Sequence, residues 1–134
     1  MFLKIDQMSS KPLYLQIRDQ IVEAVAHGVL KPGDALPSVR SLGTDLGINL
    51  HTVNKAYALL RDEGYVLMRG RGGAHVADFE HFANAERSAE ADSKLAQTLY
   101  QLALEHKARG GSYQGFMDLA NAQASEAYEK RVLA

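Results

Sequence analysis

The chain has 134 residues, 46% hydrophobic and 23% charged, with a formal net charge of −1 and no cysteine. That size and balance suit one domain with an appendage and exclude a disordered polyelectrolyte; the absence of thiols excludes a disulfide framework and thiolate metal sites. No basic stretch followed by an apolar run opens the sequence, and no segment approaches the roughly 18 apolar residues of a membrane span, so a cytoplasmic protein without membrane association is expected.

The near-neutral total conceals an asymmetry. Residues 1–77 hold nine Lys and Arg against seven Asp and Glu, a balance of +2, whereas residues 78–134 hold six against nine, a balance of −3. A basic front and an acidic back run in the direction expected of a nucleic-acid binder.

The first element spans residues 12–27. Pro12 suits a first helical position, Ile17, Ile21, Ala24 and Val25 repeat at helical spacing, and Gly28 suits a left-handed C-terminal cap. "LKPGDALP" (30–37) then turns around Pro32-Gly33, with Leu30 and Leu36 as apolar anchors. A short second helix starts near Ser38, a good N-cap, with Val39, Leu42 and Leu46 on one face and Gly47 at its end. Gly43 inside it weakens helix propensity but permits a close approach. Only Gly47-Ile48-Asn49 separate this helix from a third, which runs from Asn49 to about Glu63 with Val53, Ala56, Tyr57 and Leu60 inward. That spacing is the mark of a helix-turn-helix.

"YVLMR" (65–69) and "AHVA" (74–77) read as two strands joined by the glycine-rich turn "GRGG" (70–73). After residue 77 the composition shifts. A helical stripe over about 80–108 is clearest at Leu95, Leu99, Leu102, Ala103 and His106. Gly110-Gly111 interrupts it, and Ser112 can cap a further helix bearing Tyr113, Phe116, Ala120, Ala124, Ala127 and Tyr128. Such a hairpin buries little on its own, so its apolar stripes are expected to pair with a second copy. The expected fold is therefore mostly α with a small β wing: a winged helix-turn-helix over residues 1–77, followed by an α-helical dimerisation hairpin over 78–134.

The segments "KPGDALPSVRSL", "NLHTVNKAY" with "L" and "GY" following, and the wing "GRGGAHV", in this order, resemble the winged-helix domain of the GntR family of bacterial transcription regulators. The resemblance covers residues 12–77 nearly continuously. The opening "PLYLQIRDQI" and the length of the helical tail resemble the YtrA-type subgroup. Gly43 departs from the alanine usual in the family, and Ala74-His75 from the usual pair in the wing. The resemblance implies a sequence-specific regulator that binds double-stranded DNA. Repression as a homodimer on a pseudo-palindromic operator is the expected mode, and the resemblance marks Arg40 as a DNA-contacting position.

With the third helix in a major groove, Leu50, His51, Thr52, Asn54 and Lys55 are left on its outer side. Asn54 suits a bidentate pair with adenine and Leu50 a thymine methyl, while His51 suits a base or a phosphate, and Thr52 and Lys55 suit phosphates. Ser38 is a further phosphate donor, although capping alone explains it. Arg71 at the wing tip, beside Gly72, suits a minor groove. Leu95, Leu99, Leu102, Phe116, Ala120 and Tyr128 are the expected dimerisation residues. Asn49 is read as a cap, and Arg61 and Arg69 as surface charges.

No catalytic arrangement supports an enzyme. The five histidines lack metal-ligand spacing and "GRGG" lacks the Lys-Ser/Thr of a phosphate loop, so neither metal nor cofactor is expected. An unidentified small-molecule effector at the dimer interface stays open, as does a winged helix used for protein contacts.

Overall fold

The computed structural model describes residues 3–70, 73–78 and 85–129. They fall into two compact units, Met1–Phe82 and Ala83–Ala134.

In the first unit, helices α1 (Leu13–Ala26), α2 (Val39–Leu46) and α3 (Leu50–Asp62) precede a two-stranded antiparallel sheet of β1 (Val66–Met68) and β2 (Ala74–Val76). Ile17 and Ile21 of α1 meet Val53, Ala56, Tyr57 and Leu60 of α3 and Val66 and Val76 of the sheet in one core, where each is almost wholly removed from water. Leu30, Leu36 and Leu42 close its edges. The helical spacing of the apolar residues thus dictates which faces of α1 and α3 meet.

Pro12 lies one position outside the helix, as its N-cap in an extended conformation, rather than in the first turn. Its carbonyl still accepts from Leu15 and Gln16, so the ring constrains the entry while the backbone begins the helix. The strands are shorter than the sequence suggested. Tyr65 and Arg69 flank β1, and Ala77 follows β2. Val66 pairs with Val76, Leu67 with His75 and Met68 with Ala74. On the far edge of β2 the loop before α2 joins in: Gly33 N–H donates to the Val76 carbonyl (2.8 Å), Leu36 N–H to that of Ala74 (2.9 Å), and Val76 N–H to that of Asp34 (2.8 Å). The wing is therefore tied to the helix-turn-helix on both sides.

The N-terminal segment lies along α1 through two glutamines one turn apart. Gln20 exchanges hydrogen bonds with both backbone groups of Lys4, at 2.8 and 2.6 Å. Gln16, almost fully buried, does the same with Asp6 (2.9 Å each way) and also donates to the Lys11 carbonyl at 2.8 Å. Between those two glutamines in sequence, Arg18 of α1 clamps Glu63 just beyond α3 with two parallel bonds of 2.8 and 3.0 Å. Hydrogen bonding to Glu63 raises the Arg18 pKa despite partial burial, so the guanidinium stays charged.

The second unit contains α4 (Ala85–Ala108) and α5 (Tyr113–Tyr128). The part of the expected first helix before residue 85 lies outside the described residues. Ser112 caps α5 by accepting from Gly115 N–H at 3.0 Å. The bend is held by the His106 ring, which meets Phe116 edge-on at 5.7 Å between centroids. A side chain at Gly111 would overlap that imidazole and force the His106 ring to move. Leu95, Leu99, Leu102 and Tyr128 are exposed, and Phe116 and Ala120 half-buried. Among the described residues no helix is long and apolar enough to cross a membrane, and no cluster of acidic or histidine side chains could hold a metal.

Candidate nucleic-acid interface

The two helices of the helix-turn-helix are set by their ends. Ser38 caps α2, its Oγ accepting from Ser41 N–H at 3.0 Å. Gly47 ends α2 in the left-handed region with φ of +67°, where a side chain would be strained. Asn49 then caps α3, its Oδ1 accepting from His51 N–H at 2.8 Å. Each cap satisfies a backbone donor that the helix leaves unpaired. The turn between them is tight because position 43 carries no side chain: a Cβ there would lie 3.2 Å from the Ile48 carbonyl oxygen and 3.5 Å from the Leu50 Cα.

Tyr57 locks the pair from below. Its ring is buried in the core, and its hydroxyl donates to the Pro37 carbonyl at 2.8 Å, tying α3 to the segment that launches α2. Burial pushes its pKa upward, so it remains a neutral donor at physiological pH.

The opposite side of α3 faces solvent. Leu50, His51, Asn54 and Lys55 are exposed and Thr52 is half-buried. His51 and Asn54 make no side-chain hydrogen bond among the described residues, leaving their donors and acceptors available. Arg40, exposed on the first turn of α2, has no ion-pair partner among the described residues. It lines a shallow hollow of about 330 Å³ with Gly43, Thr44, Gly47, Ile48 and Leu50. Arg40 and Leu50, from different helices, therefore border one concavity. Ser38 is exposed, and its hydroxyl proton is free to donate outward while its oxygen caps the helix.

Lys55 has a neighbour that helical spacing did not suggest. Its ammonium lies 4.1 Å from the centre of the Tyr14 ring on α1. Arg61, by contrast, turns to the adjacent Asp62 at 3.1 Å. Arg71 and Gly72 lie outside the described residues. Among the described residues on either side of them, Arg69 N–H donates to the Gly73 carbonyl at 2.9 Å.

Three helices, the last presenting an open polar face, and a β wing hydrogen-bonded to the loop before α2 define a winged helix-turn-helix. Residues 13–76 match the profile of the bacterial regulatory proteins of the gntR family. YtrA from Sulfolobus acidocaldarius, a GntR-family transcription factor of known structure, is 42% identical, covering 72% of this chain and 97% of that one with a TM-score of 0.56. The chain belongs to the GntR family, whose members are transcription regulators rather than enzymes.

The HTH-type transcriptional repressor YtrA of Bacillus subtilis is 49% identical over 71 residues, which are 52% of this chain and 55% of that protein. The chain thus spans about half the length of that curated relative. The crystal structure of a transcriptional antiterminator from Listeria monocytogenes EGD-e matches all of this chain and 98% of its own, with 26% identity and a TM-score of 0.79. AraR(DBD) in complex with operator ORX1 matches 56% of this chain and 93% of its own, at 27% identity and a TM-score of 0.50.

Proposed function

We propose that this protein is a sequence-specific transcriptional regulator that binds double-stranded DNA as a homodimer and represses from a pseudo-palindromic operator. The observation that carries this reading is the outer face of α3: His51 and Asn54 are exposed and unengaged, with Leu50 beside them, on a helix whose opposite face is fixed in the core. In the major groove, Asn54 would pair bidentately with adenine, Leu50 would meet a thymine methyl, and His51 would reach a base acceptor or a phosphate. Arg40, Thr52, Lys55 and Ser38 would hold the phosphates, and Arg71 with Gly72 at the wing would enter the minor groove. The operator complex of AraR(DBD), a relative in fold, supports DNA as the partner.

Residues 78–134 would supply the second copy. Leu95, Leu99 and Leu102 form an exposed row on α4, with Phe116, Ala120 and Tyr128 added from α5. Pairing through these helices would present two copies of α3 to half-sites about one helical turn apart or a multiple of it. The described residues of α4 and α5 bury no side chain fully, so an effector that released the DNA would bind at the interface between copies. This function places the protein in the cytoplasm.

Selection from a random pool of duplexes, followed by mobility-shift titration, tests the reading. A specific sequence should be enriched, with affinity falling steeply as salt rises because phosphate contacts release counterions. Arg40→Ala and Arg71→Ala should each weaken binding at least several-fold. Wild-type affinity in both variants would sink the contact assignment, and no enrichment would sink the DNA reading itself.

A further inference from the structure

Tyr14 has no part in the interface described so far. It is the second residue of α1, half-buried, with its ring under the Lys55 ammonium of α3 at 4.1 Å. A cation this close to an aromatic face is held by the ring quadrupole.

The other cations of the domain that have charged partners are held by carboxylates, although Arg18 also lies over the Tyr65 ring, 5.5 Å from its centre. Lys11 pairs with Asp19, Arg18 with both Asp19 and Glu63, and Arg61 with Asp62. Each of those carboxylates cancels much of the field that a phosphate would feel. Lys55 has no carboxylate partner among the described residues, and the Tyr14 ring restrains it without neutralising it. A free lysine side chain samples many rotamers, and part of that entropy is lost whenever its ammonium is fixed. Restricting the side chain before DNA arrives moves that cost out of the binding step.

We propose that Tyr14 is a positioning residue of the DNA interface: its ring holds Lys55 on the outer side of α3 as a pre-ordered, uncompensated cation for a backbone phosphate. The proposal rests on the DNA-binding reading above. It makes α1, otherwise a scaffold helix, a contributor to affinity through a residue that need not touch DNA.

A double-mutant cycle on the full chain tests it, using the duplex that the wild type selects from the random pool. Dissociation constants and salt dependence are measured for Tyr14→Phe, Tyr14→Leu, Lys55→Met and the Tyr14→Leu/Lys55→Met double variant, with thermal unfolding as a check on each. Tyr14→Phe keeps the ring face and should bind within twofold of wild type. Tyr14→Leu should weaken binding about two- to fivefold, the range of an exposed cation–π contact. Lys55→Met should also flatten the salt dependence by about one phosphate contact. In the Lys55→Met background, Tyr14→Leu should cost nothing further. If Tyr14→Leu does not fold, Tyr14→Met keeps apolar bulk without a ring and is read in the same cycle.

Equal losses from Tyr14→Leu in both backgrounds would overturn the proposal, because the ring would then act independently of Lys55. So would a Tyr14→Phe loss as large as that of Tyr14→Leu, which would assign the effect to the hydroxyl. If the wild type binds the selected duplex and the cycle is additive, only the role of Tyr14 fails. If the wild type selects no duplex, both the DNA reading and this proposal fail.

Discussion

Ser38 and Asn49 each resolve two demands that a sequence presents as rivals. Both side-chain oxygens accept a backbone hydrogen bond as N-caps. The Ser38 hydroxyl keeps a proton to donate, and the Asn49 amide keeps its NH2 group, so capping leaves part of each side chain for a phosphate. Tyr57 combines two tasks in the same way. Its spacing with Val53, Ala56 and Leu60 announces a packing residue, and it is one, but its bond to the Pro37 carbonyl crosses 20 positions of chain. Tyr57→Phe keeps the packing and leaves that part-buried carbonyl without its partner. The variant should lose about 1 kcal/mol of stability, read as a lower urea midpoint at unchanged m-value. An unchanged midpoint would show that water satisfies the carbonyl equally well. Helical periodicity exposed the face on which Tyr57 lies; the target of its hydroxyl, like the approach of Lys55 to Tyr14, depends on where separate elements dock, which spacing within one element does not encode.

At the scale of elements, the tightest constraint is the turn between α2 and α3. Gly43 costs helix propensity, yet a Cβ there would lie 3.2 Å from the Ile48 carbonyl oxygen, close enough that this backbone would have to give by a few tenths of an ångström, and a branched side chain would ask for more. Gly43→Val would place branched atoms against that backbone and should cost about 1–3 kcal/mol by overpacking. Chemical denaturation would detect the loss, and unaltered stability would mean that the turn yields freely. The use of Gly43 for close approach was legible because an interior glycine in a short amphipathic helix has few other uses. The strand ends were not: the paired strands stop at Val66–Met68 and Ala74–Val76, while single backbone bonds from Ala77 N–H to the Tyr65 carbonyl and from Arg69 N–H to the Gly73 carbonyl, 2.9 Å each, carry the contact one residue further at either end. The edge added by Gly33, Asp34 and Leu36 was also hidden, because "KPGDALP" reads as a turn and its ladder is made by backbone alone.

Over the whole molecule, charge and exposed apolar surface divide between the two units. The basic residues 1–77 contain the open face of α3, and the acidic residues 78–134 contain the exposed Leu95, Leu99 and Leu102. Acidic helices paired with their own copy would stand away from a polyanion while delivering two basic domains to it. If they pair, Leu99→Glu at the middle of the row should convert a dimer into a monomer by sedimentation analysis, with helix content retained. It should also weaken operator binding by an order of magnitude or more, through loss of the linked second half-site. A wild-type protein that sediments as a monomer at concentrations where it binds DNA would refute the pairing. The strap of residues 3–6 on α1 has a different consequence. Gln16 and Gln20 each offer an N–H donor and a C=O acceptor, the same pair that a neighbouring strand would offer, so what α1 recognises at residue 4 is a peptide group. The side chain there is free to drift across every amino acid except proline, whose missing N–H the ladder cannot replace. The signature of the strap lies on either side of that position instead, in Leu3 and Ile5, which alternate with Lys4 and pack partly buried against the core.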